Sequence, residues 1–206
     1  MNPQFAEQGY VGVEDFLEPG VVELAYHYVK MRIKLGFGKL PPKPDQIGAR
    51  AEYGDHLMEA LLDQSTPKVE QIVGKTLWPT YSFYRLYTQG MDLKRHRDRP
   101  SCEYSASICL GRSVDEDWPL FADETPYPCQ PGSALIYKGC DVEHWREPLP
   151  KGEQLQVFLH YVDKEGVWGD VCRFDTRPGL GFPNESKKLR AADLAKLDEL
   201  RQKHLT

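Results

Sequence analysis

Three residues near the middle of the chain, His96-Arg97-Asp98, place an imidazole and a carboxylate one residue apart. Both groups are good metal ligands. On a β-strand, residues i and i+2 share a face, so His96 and Asp98 aim into the same space while Arg97 points away. Two ligands make a weak site, so a third must come from elsewhere. The chain has 6 histidines: His27, His56, His96, His144, His160 and His204. His27 and His56 fall in helical sequence and His204 lies near the end, where surface or packing roles suffice. His144 follows His96 after several short strands, about where a jelly roll returns a strand to the same end of its barrel.

His96, Asp98 and His144 would form a two-histidine, one-carboxylate facial triad, which suits non-haem Fe(II) and leaves coordination positions open. An isolated His-x-Asp is also common on charged surfaces. The surrounding stretches decide its weight.

Those stretches are predicted to form strands. From Leu77 onward, aromatic and β-branched residues come in short runs broken by Gly, Pro and Asp. Candidate strands are 81–87, 93–98, 103–110, 118–123, 133–138, 141–147 and 154–162. This number of short strands points to a sandwich or jelly roll. Before them, Leu17, Val21, Leu24, Tyr28, Met31 and Leu35 step at helical spacing, with Pro19 and Gly36 as punctuation. A Pro-rich connector covers 37–48. Two shorter helices are expected at about 55–62 and 67–74, the second capped by Ser65 or Thr66. A charged helix with a sparse leucine face is expected over 186–205. Helices first and strands afterwards predict one α+β domain over 1–206: a helical part to about 76, a core over about 77–163, and a C-terminal extension.

Composition narrows the function. The 206 residues include 26 Lys+Arg and 31 Asp+Glu, a formal net charge of −5. That acidity argues against nucleic acid as a partner. No apolar run is long enough to span a membrane. The first residues resemble no signal peptide. The 5 cysteines, Cys102, Cys109, Cys129, Cys140 and Cys172, contain no CxxC pair and read as small packing residues. A reduced, cytoplasmic setting is the expectation.

Tyr87, Gly90, His96 and Asp98 stand at the spacing Tyr-x2-Gly-x5-His-x-Asp. The turn and strand 131-PGSALIYKGCDVEHW-145 and the run 152-GEQLQVFLHYV-162 follow. In these features the chain resembles the 2-oxoglutarate and Fe(II)-dependent dioxygenases, in their prolyl 4-hydroxylase-like branch. The match covers about Leu77 to Asp163. The resemblance implies a double-stranded β-helix (jelly-roll, cupin-like) core with helices packed on one side. It also implies Fe(II) held by His96, Asp98 and His144, with 2-oxoglutarate and O2 as cosubstrates and ascorbate as an optional reductant. The implied reaction hydroxylates a C–H bond of an amino acid, peptidyl residue or small natural product, releasing succinate and CO2. Asp98 argues against halogenation, since halogenating relatives replace this carboxylate with a small residue.

One departure stands out. The family places Arg or Lys about ten residues after the distal histidine to pair with the far carboxylate of 2-oxoglutarate; here Gln154 and Gln156 occupy that region. A neutral amide gives a weaker bond than a guanidinium. Arg146, two residues after His144, is the expected substitute, with Arg85, Arg99 and Lys151 in reserve. Its alternative role is a surface ion pair with Glu143 or Glu147. Gln156 is expected to reach the cosubstrate, as is the Tyr87 hydroxyl, whose alternative role is that of a core aromatic. Gln154, Gln156, Phe158 and His160 share strand parity, which would make one barrel face polar, although His160 alone reads as a hydrogen-bonded structural histidine. Trp118 and Trp145 read as packing. Three alternatives stay open: a cupin-like metal-binding or sensor module without turnover, a zinc hydrolase using the same triad, and an interaction domain in which His-x-Asp is incidental. Substrate and oligomeric state are not encoded in any motif.

Overall fold

A computed structural model describes residues 1–38 and 50–183 of the chain. The C-terminal helix expected over 186–205, His204 and most of the 37–48 connector lie outside the described residues.

The chain opens with a short helix, α1 (Pro3–Gln8), and a strand, β1 (Tyr10–Val13). Helix α2 (Pro19–Lys34) starts at a proline, whose missing N–H costs nothing in the first turn. Its buried residues are Val22, Ala25 and Val29, whereas Leu24, Met31 and Leu35 are exposed. Of the predicted stripe, Leu17 is buried and Val21 and Tyr28 pack partly against the core, so the buried face is rotated from the predicted one. Small side chains at i, i+3 and i+7 allow a close approach to the sheet. Gly111 opposite has no room for a side chain, since a Cβ there would sit 2.5 Å from the Tyr26 ring.

A second strand, β2 (Arg50–Tyr53), leads into α3 (His56–Val73). Two helices were expected where one forms. Asp55 caps it, accepting from the amides of Leu57 and Met58. Pro67 sits inside it rather than starting a second helix. Near that break, the Leu62 carbonyl accepts from the hydroxyls of Thr66 and Tyr161. Met58, Leu62, Val69 and Val73 carry one buried stripe across the proline, and each such burial is worth roughly 1.5–3 kcal/mol. Tertiary packing thus overrides the local break.

Eight further strands follow: β3 (Leu77–Thr88), β4 (Leu93–His96), β5 (Tyr104–Arg112), β6 (Leu120–Ala122), β7 (Thr125–Tyr127), β8 (Ala134–Lys138), β9 (His144–Arg146) and β10 (Glu153–Asp163). They make a six-stranded sheet, ordered β1-β8-β5-β10-β3-β2, and a four-stranded sheet, ordered β4-β9-β6-β7. All pairings between these strands are antiparallel. The predicted strands are all present, with shifted ends. Strands β1, β2 and β7 were not foreseen: each is 3 or 4 residues long and lacks a resolvable alternation. A short helix, α4 (Gly169–Cys172), and a turn through Thr176 follow β10.

The large sheet has two unlike faces. Leu155, Val157 and Leu159 of β10, with Ala106 and Ile108 of β5 and Tyr84 and Leu86 of β3, join the helices in one apolar core. Gln154, Gln156, Phe158 and His160 alternate with them and face the small sheet. The polar interior face expected from strand parity is therefore present. Among the described residues no helix is long and apolar enough to cross a membrane.

Candidate metal and cosubstrate site

His96 ends β4 and lies directly opposite His144, the first residue of β9. Their rings are 4.3 Å apart. Asp98 lies beyond the end of β4, so strand alternation does not aim it. Its amide donates to the Gly139 carbonyl at 2.8 Å, which ties it to the β8–β9 turn. Gly139 makes the approach feasible, because a Cβ there would sit 2.6 Å from Asp98 Oδ2 and 2.2 Å from the Cys102 carbonyl. Asp98 Oδ1 lies 3.6 Å from Nε2 of both His96 and His144. One ligand atom from each of the three residues falls within 4.8 Å of the others.

Backbone carbonyls set the histidine tautomers. Nδ1 of His96 lies 2.7 Å from the Lys94 carbonyl, and Nδ1 of His144 lies 3.0 Å from that of Val142. A carbonyl only accepts, so each Nδ1 carries the proton and each Nε2 presents its lone pair to the shared space. Burial alone would raise the pKa of Asp98; the His144 and His96 rings override it when they are protonated, and hold the carboxyl well below the usual range. The same carboxylate raises His96. Two imidazoles and an ionised carboxylate are thus assembled before any cation arrives. His144 is buried, while His96 is half-exposed and marks the open side.

Ser105 and His160 support Asp98 from behind. Ser105 Oγ lies 3.3 Å from Asp98 Oδ2 and 2.9 Å from His160 Nδ1. With one hydroxyl proton, Ser105 satisfies both contacts by donating to Asp98 and accepting from His160. Burial pulls the His160 pKa down to about 4. It is the hydrogen-bonded structural histidine that its sequence suggested, and its position behind a candidate ligand was not foreseen.

Deeper in the barrel lies a polar cluster. Gln156 pairs across the sheet with Arg85, and Gln154 with Tyr87. The Arg85 guanidinium sits over the Tyr87 ring at 4.7 Å, and that of Arg146 over Trp118 at 4.5 Å. Tyr87 and Trp118 meet edge to face, 5.0 Å apart. All five polar residues are buried. Burial raises the Tyr87 pKa, against the pull of the Arg85 and Arg146 charges. Arg146 donates to the Trp118 carbonyl at 2.6 Å and to Cys129 Sγ at 3.1 Å, not to Glu143 or Glu147. Trp118 also donates its Nε1–H to the Glu147 carbonyl, and Trp145 stacks on Phe121, so both tryptophans pack as expected.

The cluster is unsatisfied. Among the described residues, Arg85 Nε, Arg146 Nε, Gln154 Nε2 and both polar atoms of the Gln156 amide are buried without a partner, as is Ser107 Oγ nearby on β5. Buried polar atoms are rarely left unpaired, and two buried guanidinium groups without an acid are costly. Their chemistry fits an anion with several acceptor oxygens. The site therefore brings together His96, Asp98 and His144, and separately Tyr87, Arg146 and Gln156. It adds Arg85, held only in reserve by the sequence reading; its place two residues before Tyr87 on one strand was the available signal. The other reserves go elsewhere: Arg99 pairs with Asp175, and Lys151 with Glu116 on the surface. The cysteines are free thiols, 4 buried and Cys140 intermediate, consistent with packing.

No family model matches the chain, and no curated protein sequence does. Solved structures do. The non-haem alpha-ketoglutarate-dependent epimerase SnoN from nogalamycin biosynthesis superposes with a TM-score of 0.66 at 13% identity, covering 78% of this chain and 80% of that one. A prolyl-4-hydroxylase from Pseudomonas putida gives 0.60 at 19% identity, covering 78% and 95%. HygX from Streptomyces hygroscopicus, solved with nickel and 2-oxoglutarate bound, gives 0.60 at 14% identity, covering 78% and 85%. The fold of this chain is that of the 2-oxoglutarate/Fe(II) oxygenases, a double-stranded β-helix core with helices packed on its larger sheet.

Proposed function

We propose that the chain is a non-haem Fe(II) and 2-oxoglutarate-dependent oxygenase that hydroxylates a C–H bond of an amino acid, a peptidyl residue or a small natural product. The observation that carries this reading is the pairing of two sites inside one barrel. One is a His-Asp-His set with both Nε2 lone pairs and a carboxylate oxygen convergent. The other is a buried pocket with two guanidinium groups that, among the described residues, pair with no carboxylate and leave both Nε atoms unpartnered. A dicarboxylate that chelates a metal at one end needs both.

His96, Asp98 and His144 would hold Fe(II). Bound there, the metal with 2-oxoglutarate and O2 supplies oxidative decarboxylation to succinate and CO2 and the oxidising power for hydroxylation. The protein's own residues bind, orient and exclude water. Arg85 and Arg146 neutralise the far carboxylate of the cosubstrate, in place of the missing cation at position 154. Gln154 and Gln156 complete its hydrogen bonds, and Tyr87 and Trp118 wall the pocket. His160, neutral when buried, and Ser105 keep Asp98 oriented. The two arginines remove the main support for a binding module without turnover, which rested on the absence of such a cation. The partners are a small-molecule or peptide substrate, with neither nucleic acid nor a membrane required.

Anaerobic titration of the Fe(II)-loaded protein with 2-oxoglutarate tests the proposal. A weak visible charge-transfer band should appear with 1:1 saturation and be lost in His144→Ala. Iron demonstrably bound with no band at saturating 2-oxoglutarate would refute it.

A further inference from the structure

The chain after β10 returns to the open end of the barrel and inserts one carboxylate beside the candidate metal ligands. Asp175 takes the guanidinium of Arg99 in a two-pronged pair, Nη1 to Oδ1 and Nη2 to Oδ2, both at 2.8 Å. The Tyr53 hydroxyl donates to Oδ2 at 2.7 Å. Tyr81, stacked on Tyr53 with ring centroids 4.8 Å apart, lies under the guanidinium at 4.7 Å and fixes its plane. Ser101 Oγ accepts from the same Nη1 at 3.0 Å. This is a seat for a planar carboxylate: three donors converge on two oxygens. Arg99 follows Asp98 directly in the chain, and both line a cavity of about 530 Å³ that also meets Glu103, Lys138, Cys140 and Trp168. Asp175 is buried, yet the Arg99 side chain keeps 48% of its exposure.

The segment that delivers Asp175 is strained. Phe174, Asp175 and Thr176 have φ of 51°, 53° and 66°, three successive non-glycine residues in the left-handed region. Aspartate tolerates this conformation; a bulky aromatic and a β-branched residue do not. The strain is confined between two firm anchors. Cys172 packs with Val162 and Trp168 on one side. On the other, Arg177 donates to Glu59, to the Thr80 and Phe182 carbonyls, and to Phe174 itself. Between the anchors, Phe174 and Arg173 also rest on Trp78. Strain of this kind persists only where surrounding contacts enforce it, and it concentrates at functional sites.

We propose that Arg99 is the carboxylate anchor for the substrate, and that Asp175 occupies it as a built-in stand-in until a substrate carboxylate displaces it. The substrate class is then a carboxylate-bearing molecule, such as a free or N-acylated amino acid. The word substrate rests on the oxygenase reading; the anion seat itself does not. Relief of the left-handed strain on displacement offsets the loss of the internal ion pair, so an external carboxylate can compete.

The test uses metal-free protein and a panel of free and N-acetylated amino acids, each beside its primary amide, with calorimetry and amide exchange over 173–176. At least one carboxylate should bind while its amide does not, and binding should speed exchange in that segment. Asp175→Asn, which keeps a residue tolerant of the left-handed region, should tighten binding about tenfold or more; Arg99→Gln should abolish it. Thr176→Gly, which removes strain and keeps Asp175 seated, should weaken it several-fold. These opposite signs keep the test decisive if one variant folds poorly. No panel member binding to Asp175→Asn, or affinity indifferent to Arg99→Gln, overturns the proposal. Carboxylate binding without a 2-oxoglutarate chelate band on the iron-loaded protein would defeat the oxygenase reading and leave the anchor standing.

Discussion

Replacing Arg85 with methionine distinguishes a ligand-binding arginine from a packing one, because the two roles predict opposite signs for stability. Arg85 is buried, its Nε has no partner, and it forms no ion pair among the described residues. A buried unpaired donor costs about 1–3 kcal/mol. Methionine fills much of the same volume without that cost, and also relieves repulsion from Arg146. The unliganded variant should gain on the order of 1 kcal/mol, a Tm rise of about 2–4 °C for a chain of this size. Binding should move the other way. A hydrogen bond to a charged group is worth about 1.5–3 kcal/mol, so 2-oxoglutarate should bind roughly 10- to 150-fold more weakly. Arg146→Met is the control. It orphans the Trp118 carbonyl that Arg146 now satisfies at 2.6 Å, so it should lose both stability and affinity. Calorimetric titration of the Ni(II)-loaded protein with 2-oxoglutarate, beside thermal unfolding of the unliganded protein, measures both quantities. An Arg85→Met protein that is destabilised and binds 2-oxoglutarate like wild type would refute the reasoning.

Further outcomes follow from the same geometry. Gly139→Ala places a methyl 2.6 Å from Asp98 Oδ2, so Ni(II) affinity should fall by about tenfold or more, read by competition with a chromogenic chelator. His160 has a folded pKa of about 4, below its ordinary 6.5, so its stability contribution is complete above pH 6.5 and is lost as pH falls toward 4. The total is about 3 kcal/mol, and urea unfolding of His160→Phe should show a flatter pH dependence across that window. The ion pair of Arg177 and Glu59 is almost fully buried, so Arg177→Met should cost about 3–5 kcal/mol in urea unfolding, because it leaves the glutamate unpaired.

The core strands were legible in the sequence because alternation is local, and the candidate metal ligands because a His-x-Asp and a later histidine in strand sequence stand out along the chain. His96 and His144 were identified from order and spacing, and Gln154, Gln156 and His160 from parity along one strand. What was missed depended on distant partners. Asp98 reaches its place through the Gly139 contact, not through strand alternation. The buried face of α2 was set by how closely the helix lies on the sheet, which favours Ala25 over Leu24. The proline in α3 read as a boundary because the sequence did not show the packing on either side of it. Arg85 carries no motif: the family spacing points to the last strand, whereas this buried cation lies on the neighbouring β3. Asp175 has no motif at all; a chain reversal brings it to Arg99 across 76 positions.

The position of β10 bears on how the protein can be made. Among the described residues it is the last strand in sequence, yet it lies at the middle of the large sheet, between β5 and β3. Without it that sheet falls into two unconnected pieces, β1-β8-β5 and β3-β2. A nascent chain therefore cannot close its barrel strand by strand as it leaves the ribosome. Strands β5 and β3 keep an open edge until β10 fills the place between them, which makes folding slow and non-local. Stalled or truncated chains ending before Asp163 should be the aggregating species in expression.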